Sequence, residues 1–139
     1  MMKELAVFDM DVIVSENNYK RAGREWLNLA LWLSTHVEKH TVLFGNAPSP
    51  FYLDTAYLKG YTKVHNFHLH CSNEVRTARL IERGWNTKQI ADELYYADYL
   101  FAKAASSNPP IPILDTSQLS VMESAAKVSE WINLTISPL

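Results

Sequence analysis

The chain has 139 residues and a formal net charge of −2, from 13 basic and 15 acidic residues. Hydrophobic residues make up 47 % and charged residues 20 %, with 4 Gly and 6 Pro, a globular composition that excludes collagen-like, low-complexity and disordered chains. The lone Cys71 excludes an internal disulfide and fits a reducing compartment, the apolar runs are too short for a bilayer, and Met1-Met2-Lys3-Glu4 lacks a secretory h-region. The expectation is one cytoplasmic domain over 1–139, with no membrane segment and no basic excess that would mark a nucleic-acid partner.

Along the chain, Leu5-Ala-Val-Phe-Asp-Met10 is a short apolar run ending in acid, which predicts a buried strand whose carboxyl end reaches a polar site. A helical pattern follows from about Asn18 to Val37, with Ala22, Trp26, Leu29 or Ala30, Leu33 and Val37 as its apolar stripe. Thr41-Val-Leu-Phe-Gly45 predicts a second strand. Ser49-Pro50 offers the cap and first position of a short helix, and Gly60 breaks the chain. Val64 to Cys71 predicts a third strand, and Ser72 caps a helix ending near Gly84. Thr87 then caps a helix carrying Ile90, Leu94, Ala97 and Phe101, which Asn108-Pro-Pro ends. Ile111-Pro-Ile-Leu-Asp115 predicts a fourth strand, pushed to an edge by Pro112. Ser120-Val-Met-Glu123 is a capping box before a final helix with the stripe Val121, Ala125, Val128 and Ile132.

Strands alternating with helices imply an α/β fold, three-layered, with a mostly parallel sheet of about four strands and helices on both faces. Ligands of such sheets gather outside the carboxyl ends of the strands. Those ends carry Asp9 and Asp11, Gly45-Asn46, His70-Cys71-Ser72 and Asp115-Thr116-Ser117. Asp9 and Asp11 are i and i+2, so a strand points both carboxylates to one side. There they suit Mg²⁺, or one accepts a proton from a substrate hydroxyl; equally, both serve to cap the turn that follows. Arg76, Arg79 and Arg83 fall near one helical face and suit phosphate oxygens, or else form a solvated face paired with Glu74 or Glu82. His68 and His70 share a strand face, but Cys71 points the other way and no second cluster completes a zinc site, which favours ordinary strand histidines.

In their order and spacing, Val7-Phe-Asp-Met-Asp11, the helix with Arg24-Glu-Trp-Leu, Thr41-Val-Leu-Phe-Gly45, Phe67-His-Leu-His-Cys71, Val75-Arg-Thr-Ala-Arg-Leu-Ile-Glu-Arg83-Gly84 and Ile113-Leu-Asp-Thr-Ser117 resemble the small-molecule kinases of the P-loop superfamily, of the gluconate-kinase-like and shikimate-kinase-like kind. The resemblance covers nearly the whole chain. It implies ATP-dependent phosphorylation of a small hydroxylated metabolite, with ATP and Mg²⁺ as cofactors and the metabolite or a nucleotide as partner. By position it puts Asp9 near Mg²⁺ and Asp11 on the acceptor hydroxyl, with Arg24 as an acidic-substrate contact. Arg79, Arg83 and Arg76 become lid arginines facing the phosphates, and Asp115, Thr116 and Ser117 lie beside the adenine.

One departure is large. These kinases open with a strand, a G-x-x-x-x-G-K-[ST] loop and a helix, whereas only eight residues precede Asp9 and no Gly-Lys-Ser or Gly-Lys-Thr occurs. The expectation is a kinase-like domain without its first strand and phosphate cradle, inactive or weakly nucleotide-binding. That strand is central in the family, between those matching 41–45 and 64–71. These two strands are therefore expected to pair directly, or a homodimer to close the gap. Two alternatives are a non-enzymatic folded remnant or partner-binding domain, and a haloacid-dehalogenase-like phosphatase. In the latter, Val7-Phe-Asp-Met-Asp-Val-Ile-Val is the first motif, Asp9 the nucleophile and Asp11 the acid/base.

Overall fold

The computed structural model describes residues 5–9, 19–37, 39–45 and 64–136, with the side chains of the first helix described from residue 25 onward. These residues form four strands and four helices, α/β as expected. The elements are β1 (Leu5–Asp9), α1 (Tyr19–His36), β2 (His40–Phe44), β3 (His68–His70), α2 (Asn73–Glu82), α3 (Thr87–Ser106), β4 (Ile113–Asp115) and α4 (Val121–Ile136). The short helix expected at Ser49-Pro50 and the break at Gly60 lie outside the described residues. The chain divides into two compact units, 1–65 and 66–139.

In the first unit, β1 pairs with β2 in parallel, from Leu5 opposite His40 to Asp9 opposite Phe44. The period of two is visible in β1. Ala6 and Phe8 are half-buried on one face, while Leu5, Val7 and Asp9 are exposed on the other. The strand is thus covered on one face rather than buried on both. Phe8 meets Trp26 of α1 with ring centroids 5.3 Å apart, and Trp26, Leu27 and Ala30 form the buried side of that helix. Of the two residues offered for the apolar stripe, Ala30 is buried and Leu29 exposed, and Leu27 is buried beside Ala30. The stripe is therefore set by Trp26 and its i+4 neighbour Ala30, which Leu27 flanks.

In the second unit, β3 pairs in parallel with β4, His68 opposite Ile113 and His70 opposite Asp115. The strand expected over 64–71 forms a ladder only at His68–His70. The expected single sheet of about four strands is, among the described residues, two sheets of two: β2 pairs with β1, β3 pairs with β4, and the direct pairing of β2 with β3 does not occur. Each parallel pair is instead joined by its own helical crossover, α1 in the first unit and α2 with α3 in the second.

The helix ends in the second unit are specified locally. The hydroxyl of Ser72 accepts from the Val75 amide at 3.3 Å and starts α2. Gly84, at φ 82°, lets the chain turn out of the helix in a conformation that L side chains avoid. Asn86, not Thr87, caps α3: its side chain accepts from the Gln89 amide at 2.8 Å and its own amide donates to the Gln89 side chain at 2.9 Å. The box at α4 forms as expected, with Glu123 N donating to Ser120 Oγ and Ser120 N to Glu123 Oε1. The small core holds Cys71, Leu80, Ala97 and Ala104, and Phe67 packs on Trp131 with centroids 4.6 Å apart. In α4 the half-buried side holds Ser124, Val128, Trp131, Ile132, Thr135 and Ile136, so Val128 and Ile132 of the expected stripe face inward while Val121 and Ala125 are exposed. The Phe67–Trp131 contact fixes that rotation.

Candidate functional site

The residues that the sequence assigns to a site are gathered most densely at the carboxyl ends of β3 and β4. There the chain crosses from strand to α2 on one side and from strand to a turn on the other. The turn is closed by Asp115, whose Oδ1 accepts from the Ser117 amide at 2.9 Å and from the Ser117 hydroxyl at 2.6 Å. Those two bonds, the hydroxyl first, hold the Asp115 carboxyl below the ordinary carboxylate range. The same hydroxyl accepts from the Ser72 amide at 2.8 Å. Thr116 donates to the carbonyl of His70 through both its amide, at 2.7 Å, and its hydroxyl, at 3.1 Å. The end of β4 is therefore laced to the end of β3 and to the cap of α2.

Arg79 reaches this clasp from α2, its Nη2 donating to the Thr116 carbonyl at 3.4 Å. A guanidinium carries five N–H donors, so one long bond leaves most of its capacity for an anion or for water. Arg79 thus meets the 115–117 turn at Thr116. Arg76 and Arg83 are employed elsewhere. Arg76 donates to the Asn73 side chain at 3.1 Å, and Asn73 in turn reaches Asp98 of α3 at 3.4 Å. Arg83 ends α2 with its side chain exposed, its amide donating to the Arg79 carbonyl at 3.2 Å. Arg76 and Arg79, on one helical face, therefore engage different neighbours, a divergence that spacing alone does not reveal.

In the first unit, Asp9 closes β1 in an exposed position opposite Phe44. Asp11 and the side chain of Arg24 lie outside the described residues. Among the described residues no group of three or more His, Cys, Asp or Glu is arranged to hold a metal ion. Burial first, then the charges of His70 and Arg76, lower the proton affinity of His68. Among the described residues, no helix is long and apolar enough to cross a membrane.

Two participants escape the sequence reading. Ser72 belongs to the strand-end set and caps α2, but nothing in the sequence marks its amide as the anchor of the 115–117 turn. Glu93, half-buried on α3, lies within the influence of Arg76, and burial raises its carboxyl above the ordinary range. A glutamate at the rim of a helical apolar stripe was the available signal for the second, whereas nothing local marks the first. No protein-family model, curated protein or solved structure matches the chain.

Proposed function

We propose that the chain is a P-loop-kinase-like phosphotransferase domain of the cytoplasm, retaining a weak nucleotide contact without turnover. The observation that carries this reading is strand pairing. β1 with β2 and β3 with β4 are both parallel, which suits the alternating strands and helices of such a domain. Arg79 at the clasp of 115–117 supports a phosphate or adenine contact there, since its guanidinium offers charge and planar donors. Residues 1–139 contain no Gly-x-x-x-x-Gly-Lys-Ser/Thr, so they do not themselves supply the backbone cradle and lysine that position and neutralise the transferring phosphoryl group. Positioning and charge stabilisation are nearly all that such a reaction asks of a protein, which is why contact without turnover follows. In the same reading a second copy of the chain closes the gap left by the missing strand.

The experiment is a nuclear magnetic resonance titration of the full chain with ATP and Mg²⁺, alongside an assay for phosphate transfer to sugar acids. Shifts confined to Arg79 and residues 115–117, lost in Arg79→Ala, with no transfer, are the expected result. Shifts elsewhere only, none at all, or robust transfer would overturn the proposal. Hydrolysis of an aryl phosphate abolished by Asp9→Asn would replace it with the phosphatase reading.

A further inference from the structure

The face of β3 turned toward α3 carries two imidazoles. His68 and His70 are two residues apart on one strand, their ring centroids separated by 6.2 Å, and His70 packs with Phe101 of α3 at 4.2 Å between centroids. The Nε2 of His68 and the Nδ1 of His70 are shielded from solvent and have no hydrogen-bond partner among the described residues. A neutral imidazole tolerates one such position, because one of its nitrogens carries only a lone pair. Protonation puts an N–H on both nitrogens and a charge on the ring, and a shielded donor without an acceptor is costly.

The charged groups around the two rings are unequal. From α2, Arg76 sets positive charge near His68, and His70 adds to it when ionised. From β4, the exposed carboxylate of Asp115 interacts with His70. From α3, Glu93 is half-buried and held toward its neutral form by burial, with Arg76 opposing, so it is a poor counter-charge. His70 therefore has an anion within reach, whereas the groups acting on His68 are cationic.

We propose that His68 is an acid-sensitive wedge in the seam between β3 and α3: on acidification its ring takes up a proton that the seam cannot accommodate, and α3 loosens from the carboxyl end of β3. The effect reaches the 115–117 clasp, because the His70 carbonyl holds Thr116 through two hydrogen bonds. Desolvation first, then the charges of His70 and Arg76, hold the His68 ring below the ordinary imidazole value of 6.5. Between that lowered value and 6.5 the closed seam binds fewer protons than the open one. Closure is therefore complete above 6.5, weakens as pH falls through the window, and changes no further below it. One proton allows the opening constant to rise by at most about tenfold per pH unit crossed.

The test is amide hydrogen exchange on the full chain at about pH 7.5 and about pH 5.5, corrected for the intrinsic exchange rate. Protection over 68–70 and along α3 is expected to fall at the lower pH in the wild type and to stay nearly level in His68→Gln. An imidazole proton titration of the unmodified chain gives an independent reading, with the His68 midpoint expected below 6.5. A midpoint at or above that value, or equal acid sensitivity in the wild type and His68→Gln, would overturn the proposal.

Discussion

Replacing Ser117 by alanine removes one hydroxyl that serves two partners, the Ser72 amide at 2.8 Å and the Asp115 carboxylate at 2.6 Å. Asp115 is exposed to water, which replaces the second bond, so the loss centres on the Ser72 amide. That amide belongs to a part-buried pair. A lost intramolecular hydrogen bond of this kind costs about 1 kcal/mol, equivalent to roughly a fivefold change in a local opening constant. Amide exchange at Ser72 reads that quantity directly, and Ser117→Ala is expected to reduce its protection about fivefold. Ser117→Thr keeps the hydroxyl and is expected to retain most of it. The Asp115 midpoint moves at the same time. Its largest depressing contact is gone in Ser117→Ala, so it rises toward the ordinary 3.8 while the Ser117 amide still holds part of the depression. Because that carboxyl is depressed when folded, its contribution is present above about 3.8 and disappears as pH falls through the lowered value. Unchanged Ser72 protection in Ser117→Ala, or equal loss in Ser117→Thr, would refute the assignment of the hydroxyl as the clasp between the two strand ends.

Asn86→Ala removes the side-chain half of the α3 capping box and is expected to cost about 1 kcal/mol in urea unfolding, whereas Asn86→Asp preserves the acceptor and most of the stability. Leu80→Ala removes the most deeply placed side chain of α2, 5 % exposed, and is expected to cost about 2–5 kcal/mol, read as a lower midpoint in the same unfolding experiment.

The elements whose boundaries depend on neighbours in sequence are the ones that sequence reading locates well. Ser72 and the Ser120–Glu123 pair cap the helices assigned to them, and Gly84 ends α2, because each acts within a turn of its own position. The misplaced cap has the same local origin: Asn86 and Thr87 are both good caps, and only the reciprocal bond with Gln89 decides for Asn86. Three-dimensional partners were less legible. The inward choice of Ala30 over Leu29 follows from where Phe8 meets Trp26, and the exposure of Val121 and Ala125 follows from Trp131 docking on Phe67. The gathering of Thr116 and Ser117 with His70 and Ser72 was legible from strand-end topology. The separate destinations of Arg76 and Arg79 were not, since identical side chains on one helical face carry no record of which acceptor each will meet. The two separate strand pairs have a similar cause. A parallel strand is an apolar run whatever lies beside it, and its neighbours are chosen by crossovers rather than by its own residues.

The parallel ladders also bear on the order in which this chain folds. Ser72 and Ser117, which join the two strand ends of the second unit, are 45 residues apart, and α2 and α3 lie between them. Contacts so distant carry a chain-closure entropy that no local interaction repays, and topologies dominated by them fold slowly. The capped helices need no such closure and form on the time scale of a helix–coil transition. In the second unit the strand pairing is therefore a late step, waiting on helices that are already specified. Until it is made, the edges of β3 and β4 remain open to the wrong neighbour, so slow closure and exposure to association arise from the same long crossover.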